Sequence, residues 1–172
     1  RSGQAASLYA QAADLTNGEQ RLRLRGSVAN QLMLSAQITP GLRAARALLG
    51  ELGVALPLET GKALLRFLWE RARYALFSGR GRLSDQQKSQ RRIAVELIGV
   101  FNRSIGFVHP PAYLALTAQY VRLAASLGDE AQLACAYAGQ GYLVSLRGSL
   151  EHGSRWFDRA RTLCEKLAQP RL

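Results

Sequence analysis

The densest collection of reactive side chains is GSLEHGSRWFDRARTLCEKL, residues 148–167, where His152 and Cys164 stand among carboxylates, three arginines and Trp156. A histidine can move a proton near neutral pH and a thiolate can attack or ligate, but each needs a partner at a defined spacing. Neither His152 nor His109 has a recognisable nucleophile or acid partner in sequence, and no CxxC pair or Cys/His ligand spacing involves Cys135 or Cys164. Both cysteines are expected as reduced, half-buried thiols. LETGKALL, residues 58–65, contains the Gly-Lys of a phosphate loop. Leu56 stands where that loop needs its first glycine, however, and Ala63 replaces the hydroxyl that would hold magnesium. A helix start, with Glu59 or Thr60 in the first turn, accounts for it better. Kinase, serine-hydrolase and zinc-protease motifs are absent from the sequence. No catalytic residue, cofactor or metal is therefore expected.

The elements that would position these residues read as helices. With 172 residues, 48% of them hydrophobic, the chain suits a single domain or one run of repeats across 1–172. No apolar run approaches a membrane span and no signal-peptide pattern opens the chain, which begins at Arg1 without a methionine. A cytoplasmic fragment of a longer polypeptide is the expectation. Apolar residues recur at helical spacing between turn signals, predicting helices near 3–15, 18–36, 39–53, 59–78, 84–105, 110–127, 129–147 and 149–168. Thr39 before Pro40, Ser84 with Gln87, Asp129 and Ser149 supply cap chemistry, while Gly53, Gly128 and Gly148 stand where helices end in a left-handed residue.

The net charge of +11 raises nucleic acid as a partner. The excess is almost all arginine and is spread along the chain. Its densest stretch, Arg66 to Arg103, includes Arg80 and Arg82 but lacks the interleaved aromatics of a single-strand stacking surface. A solvated face or an acidic protein partner fits that pattern better.

Several helices share a motif. Gly153, Phe157 and Ala160 repeat the i, i+4, i+7 spacing of Gly41, Ala45 and Leu48 and of Ala5, Tyr9 and Ala12. The third members stand at steps that fit a period of about 37 residues, the size of a helix-turn-helix repeat. Tyr137 and Gly141, and Ala29 and Leu32, occupy the helices before. Small residues allow close helix approach and large ones fill the space between neighbours. On this register Phe157 is a packing residue, and Phe157→Ala should cost roughly 3–5 kcal/mol if its ring is buried.

These positions resemble a degenerate tetratricopeptide repeat, in pairs 18–53 and 129–168, with 3–15 as a lone second helix and an irregular middle at 59–127. LLGELGVALP, LLRFLWERARYALFSGRGRL, PPAYLALTAQYVRLAASLG and AYAGQGYLVSLRGSLEHGSRWFDRARTLCEKL are similar, in that order, to the helical region of large bacterial signalling proteins. In that family a serine/threonine kinase domain and an AAA-type (STAND-like) ATPase module precede the repeats. The resemblance implies an all-α, right-handed solenoid of antiparallel helix pairs, about eight helices, serving as a non-catalytic scaffold or regulatory segment. Its partner would be a neighbouring domain or another signalling protein. A nucleic-acid-binding or transcription-regulator-associated repeat using the basic surface is the alternative. In a tetratricopeptide-like stack the first helix of each pair lines the concave side. That exposes Arg23, Asn30 and Met33 in one pair and Tyr142 and Ser145 in another as partner-binding candidates, and exposed solenoid ends favour homo-oligomers.

Overall fold

The computed structural model describes residues 2–76, 83–146 and 148–168, so Arg80 and Arg82 lie outside the described residues. These fold into helices α1 (Ser2–Asp14), α2 (Gly18–Leu34), α3 (Ile38–Glu51), α4 (Thr60–Leu76), α5 (Asp85–Val108), α6 (Pro110–Leu127), α7 (Glu130–Leu146) and α8 (Leu150–Ala168). No strand occurs among the described residues. Several start and stop signals act where the sequence puts them. Ser84 and Gln87 close a reciprocal capping box on α5, and Asp129 Oδ1 accepts from the Gln132 amide at the head of α7. Gly128 adopts φ 67° after α6, a left-handed value that a side chain would strain. Thr39 is a correction. α3 begins one residue earlier, at Ile38, and its cap residue Gln37 makes no side-chain cap bond.

Chain order and packing order differ in the middle. α1 packs on α2, and α2 on α3; α2 and α3 also meet α5, which packs on α6 and α7. α7 packs on α6 and α8, while α4 packs on α6 rather than on its sequence neighbours α3 and α5. PPAYLALTAQYVRLAASL has too little polar surface for a solvent face, which suits α6 to enclosure by α4, α5 and α7. Its Leu116, Tyr120 and Ala124 are fully buried, along with Phe101, Ile98 and Ile105 of α5.

Polar straps fasten α4 and the loop before it to α6 and its cap residue. Gln119, fully buried, donates through Nε2 to the Ala55 carbonyl at 2.7 Å, while its Oε1 accepts from the Ala55 amide and from Arg66. His109 caps α6 by accepting from the Ala112 amide at Nδ1, which leaves Nε2–H to donate to the Leu58 carbonyl at 2.8 Å. The loop before α4 thus gains side-chain partners for backbone groups that no helix hydrogen bond satisfies.

Small residues do sit at the closest helix approaches. A Cβ on Gly41 would lie 2.9 Å from the Met33 amide nitrogen and 3.0 Å from the Ala29 carbonyl, so α3 lies backbone to backbone against α2. Gly153 and Gly141 do the same for α8 and α7. Two parts of the motif are corrected. In α1 the buried small residues are Ala6 and Ala13, one position on from Ala5 and Ala12. In α8 the inward face runs through Gly153, Trp156, Ala160 and Leu163, leaving Phe157 39% exposed. Trp156 shares the packing role, tilted against Tyr137 with ring centroids 5.4 Å apart, while one edge of the Phe157 ring lies over Gly141 of α7.

Candidate functional site

A cleft of about 600 Å³ opens between α5, the start of α6, and α7. Its shape follows from what the helices omit. Gly99 and Gly106, two turns apart on α5, and Gly139 on α7 leave backbone where side chains would fill the gap. Phe107, 81% exposed, and the exposed Tyr142 and Leu146 border it with apolar surface. The floor is polar near Gly139, where a Cβ would sit 3.0 Å from Asn102 Nδ2 and 3.5 Å from the Tyr113 hydroxyl. Asn102 is held from behind, its Oδ1 lying 3.3 Å from the Thr117 hydroxyl, which also donates to the Tyr113 carbonyl at 2.9 Å. Burial pushes the Tyr113 phenol above its ordinary pKa, so it stays a neutral donor at physiological pH. Exposed Arg103 adds a cation at the rim. Apolar walls, an amide and a phenol can hold an extended peptide or an anchoring side chain, with hydrogen bonds to its amide groups.

The five residues that the sequence suggests as a partner surface are dispersed. Tyr142 lines this cleft. Ser145 faces α8, its hydroxyl in the space beside Gly153. Arg23 Nε bonds Glu96 Oε2 at 2.8 Å and its guanidinium also pairs with Glu19, while Asn30 Oδ1 accepts from Ser104, so both tie α2 to α5. Met33 is a correction: it is 4% exposed, under Gly41 of α3, because its helix turns that face toward its partner. Sequence reasoning overlooks Asn102, Phe107 and the Gly99–Gly106 pair. The available signal is two glycines seven apart on one helix, which mark a face without side chains.

The reactive residues of the stretch 148–167 are exposed. His152 Nδ1 lies 2.7 Å from the Ser149 hydroxyl at the start of α8. Cys135 and Cys164 are free and exposed, correcting the half-buried expectation. Arg155 pairs with Glu151, and Arg161 with Asp158. Lys62 of the Gly-Lys pair bonds Glu59 at the start of α4.

A second charged cluster lies where α4 meets α6. Glu70 is fully buried, paired with Arg122 of α6, with Arg66 at 2.8 Å and with Arg73 at 4.0 Å. Arg91 of α5 donates to the Ser126 hydroxyl at 2.9 Å, and its ionisation is depressed first by burial and then by the charges of Arg122 and Arg73. No helix of the described residues is long and apolar enough to cross a membrane. No protein-family model, curated protein or solved structure matches the chain.

Proposed function

We propose that this chain is a non-catalytic protein-recognition segment, a tetratricopeptide-like stack acting as a regulatory arm of a bacterial, cytoplasmic signalling protein linked to a kinase and an ATPase. The observation that carries recognition is the cleft, where Phe107, Tyr142 and Leu146 expose apolar surface around a floor offering the Asn102 amide and the Tyr113 phenol. Support for a stack comes from helix order: α2–α3, α5–α6 and α7–α8 pack as pairs, and the first helices meet in succession, α2 with α5 and α5 with α7. α4 is then an insertion between the first two pairs. The signalling context rests on the sequence resemblance.

A photo-crosslinking amino acid at Tyr142, in cells producing the parent polypeptide, tests this reading. Adducts mapped to a kinase or ATPase domain, and lost when Phe107→Ser and Leu146→Ser are combined, are the expected result. Adducts with nucleic acid, or protein adducts indifferent to those substitutions, would overturn it.

A further inference from the structure

The face of α4 turned away from α6 is apolar along its whole length. Leu65, Leu68, Trp69 and Leu76 are 58 to 76% exposed, and Ala72 is exposed between them. At 100° per residue these positions fall on one stripe, opposite Ala63 and Glu70, the buried residues that seat α4 on α6. Ordinary surface helices show one such face; α4 has an apolar stripe left over. One border of the stripe is a row of cations, Lys62, Arg66 and Arg73, and Arg71 stands on the other.

The row continues into the body of the protein. α4 and α5 both pack on α6 but not on each other, and Arg122 of α6 reaches toward both, bonded to Glu70 and close enough to Arg91 to repel its charge. Arg66, Arg73 and Arg122 share one carboxylate, Glu70, and Arg91 bonds the Ser126 hydroxyl instead; among the described residues no other acidic group pairs with any of the four. The junction therefore holds surplus positive charge beside an exposed Leu and Trp stripe.

We propose that the α4 stripe docks an acidic amphipathic helix, whose apolar face covers Leu65, Leu68 and Trp69 and whose flanking carboxylates reach Arg73 and Arg91. This deepens the protein-recognition reading and rests on it, at a surface separate from the α5–α7 cleft. Charge selects the occupant. A second copy of this chain would bring the same cations and a net charge of +11, so like charges would oppose pairing. An anionic lipid plane would meet the stripe but not the partly buried Arg91 and Arg122, which individual carboxylate side chains on a helix flank can reach. Trp and Arg are also the residue types that concentrate binding energy at interfaces.

The probe is a fluorescein-labelled, stapled helix of about 18 residues, with leucines along one face and glutamates on both borders. Its control carries lysines in place of the glutamates. The whole chain should bind the acidic peptide saturably, with a blue shift of Trp69 emission that disappears in Trp69→Phe. Leu65→Ser with Leu68→Ser, or Arg73→Gln with Arg91→Gln, should each weaken binding by at least about tenfold while far-ultraviolet circular dichroism reports an unchanged helix content. Equal binding of the lysine peptide, or none of either, would overturn the proposal. So would a Trp69 shift produced only by phosphatidylglycerol vesicles, which assigns the stripe to lipid, or by raising the protein concentration alone, which assigns it to a second copy. None of these substitutions touches the α5–α7 cleft, so failure here leaves the Tyr142 crosslinking result to stand or fall separately.

Discussion

Glu70 is the one charged side chain that is fully buried among the described residues, and its arginines are what make that burial tolerable. The carboxylate is fully enclosed, while Arg122 and Arg66 retain some contact with solvent. Glu70→Gln keeps the shape but leaves two guanidinium groups partly desolvated without their counter-charge. It should lower stability by about 3 kcal/mol in urea denaturation. Replacing Glu70 and Arg122 together by Met should cost less than that single change, because no unpaired charge remains. The tyrosines give a pH signature. Tyr113 and Tyr120 are held above the ordinary phenol range by burial, and Tyr137 by burial and then by its hydrogen bond with Tyr74. A phenol harder to ionise when folded stabilises the fold fully below its unfolded pKa of about 10. That contribution is lost as pH rises from there through the higher folded value. Tyrosinate absorbance should therefore show these three ionising together with the loss of helix in alkali, not before it. At Phe157, 39% exposure reduces the expected cost of Phe157→Ala to roughly 1–2 kcal/mol. A denaturation shift of roughly 3 kcal/mol or more, the order of a fully buried ring, would put that side chain back inside.

At the scale of the element, glycines divide into those that permit contact and those that only weaken a helix. Gly41 lets α3 approach the α2 backbone, and the added methyl of Gly41→Ala meets main-chain atoms that cannot swing aside. That substitution should destabilise by roughly 1–3 kcal/mol. Gly50, in the last turn of the same helix, has nothing within 4 Å of the place an added methyl would occupy, and its backbone is not left-handed. Gly50→Ala should stabilise by about 0.4–1 kcal/mol. Thermal melts of the two variants should move in opposite directions; movement the same way would break the distinction between contact glycines and free ones. Gly99, Gly106 and Gly139 belong to the contact class: a methyl there would meet the Tyr120 hydroxyl, the Tyr113 ring and Asn102 Nδ2 at 3.2, 3.6 and 3.0 Å, and all three glycines line the cleft.

Across the whole molecule, burial is concentrated in one place. α6 is enclosed by three helices, α5 packing along it from Arg91 to Gly106, whereas α8 buries only Gly153 and Ala160 among its described residues. Local opening follows buried contact. Amide exchange should accordingly be slowest in α6 and the adjoining part of α5, and fastest in α1 and α8. Exchange of equal rate in α8 and α6 would mean that the last helix is held by more than its seam with α7. Exposed apolar side chains occur on several helices, among them the stripe of α4 and the border of the α5–α7 cleft. The two candidate interaction surfaces are thus carried on a shared, slowly opening base.

Helix positions were legible in residues 1–172 because capping and periodicity are local: Ser84 with Gln87, Asp129 and Gly128 act within a turn of where they stand. The small residues at close approaches were legible too, since Gly41 and Gly153 repeat at helical spacing. The face that each helix turns inward was not. α8 turns Trp156 further inward than Phe157, and α2 buries Met33, because adjacent large apolar residues leave the rotation of a helix undecided by a few tens of degrees, and only its neighbour selects the angle. Pairings across long separations were equally hidden. Gln119 to Ala55 and Arg122 to Glu70 join residues more than fifty positions apart, and no spacing along the chain encodes them or the packing of α4 on α6. Local hydrogen bonding set the elements; the packing of α4 on α6, which leaves the Leu65 to Leu76 stripe facing outward, arises only when all the helices compete for the same core.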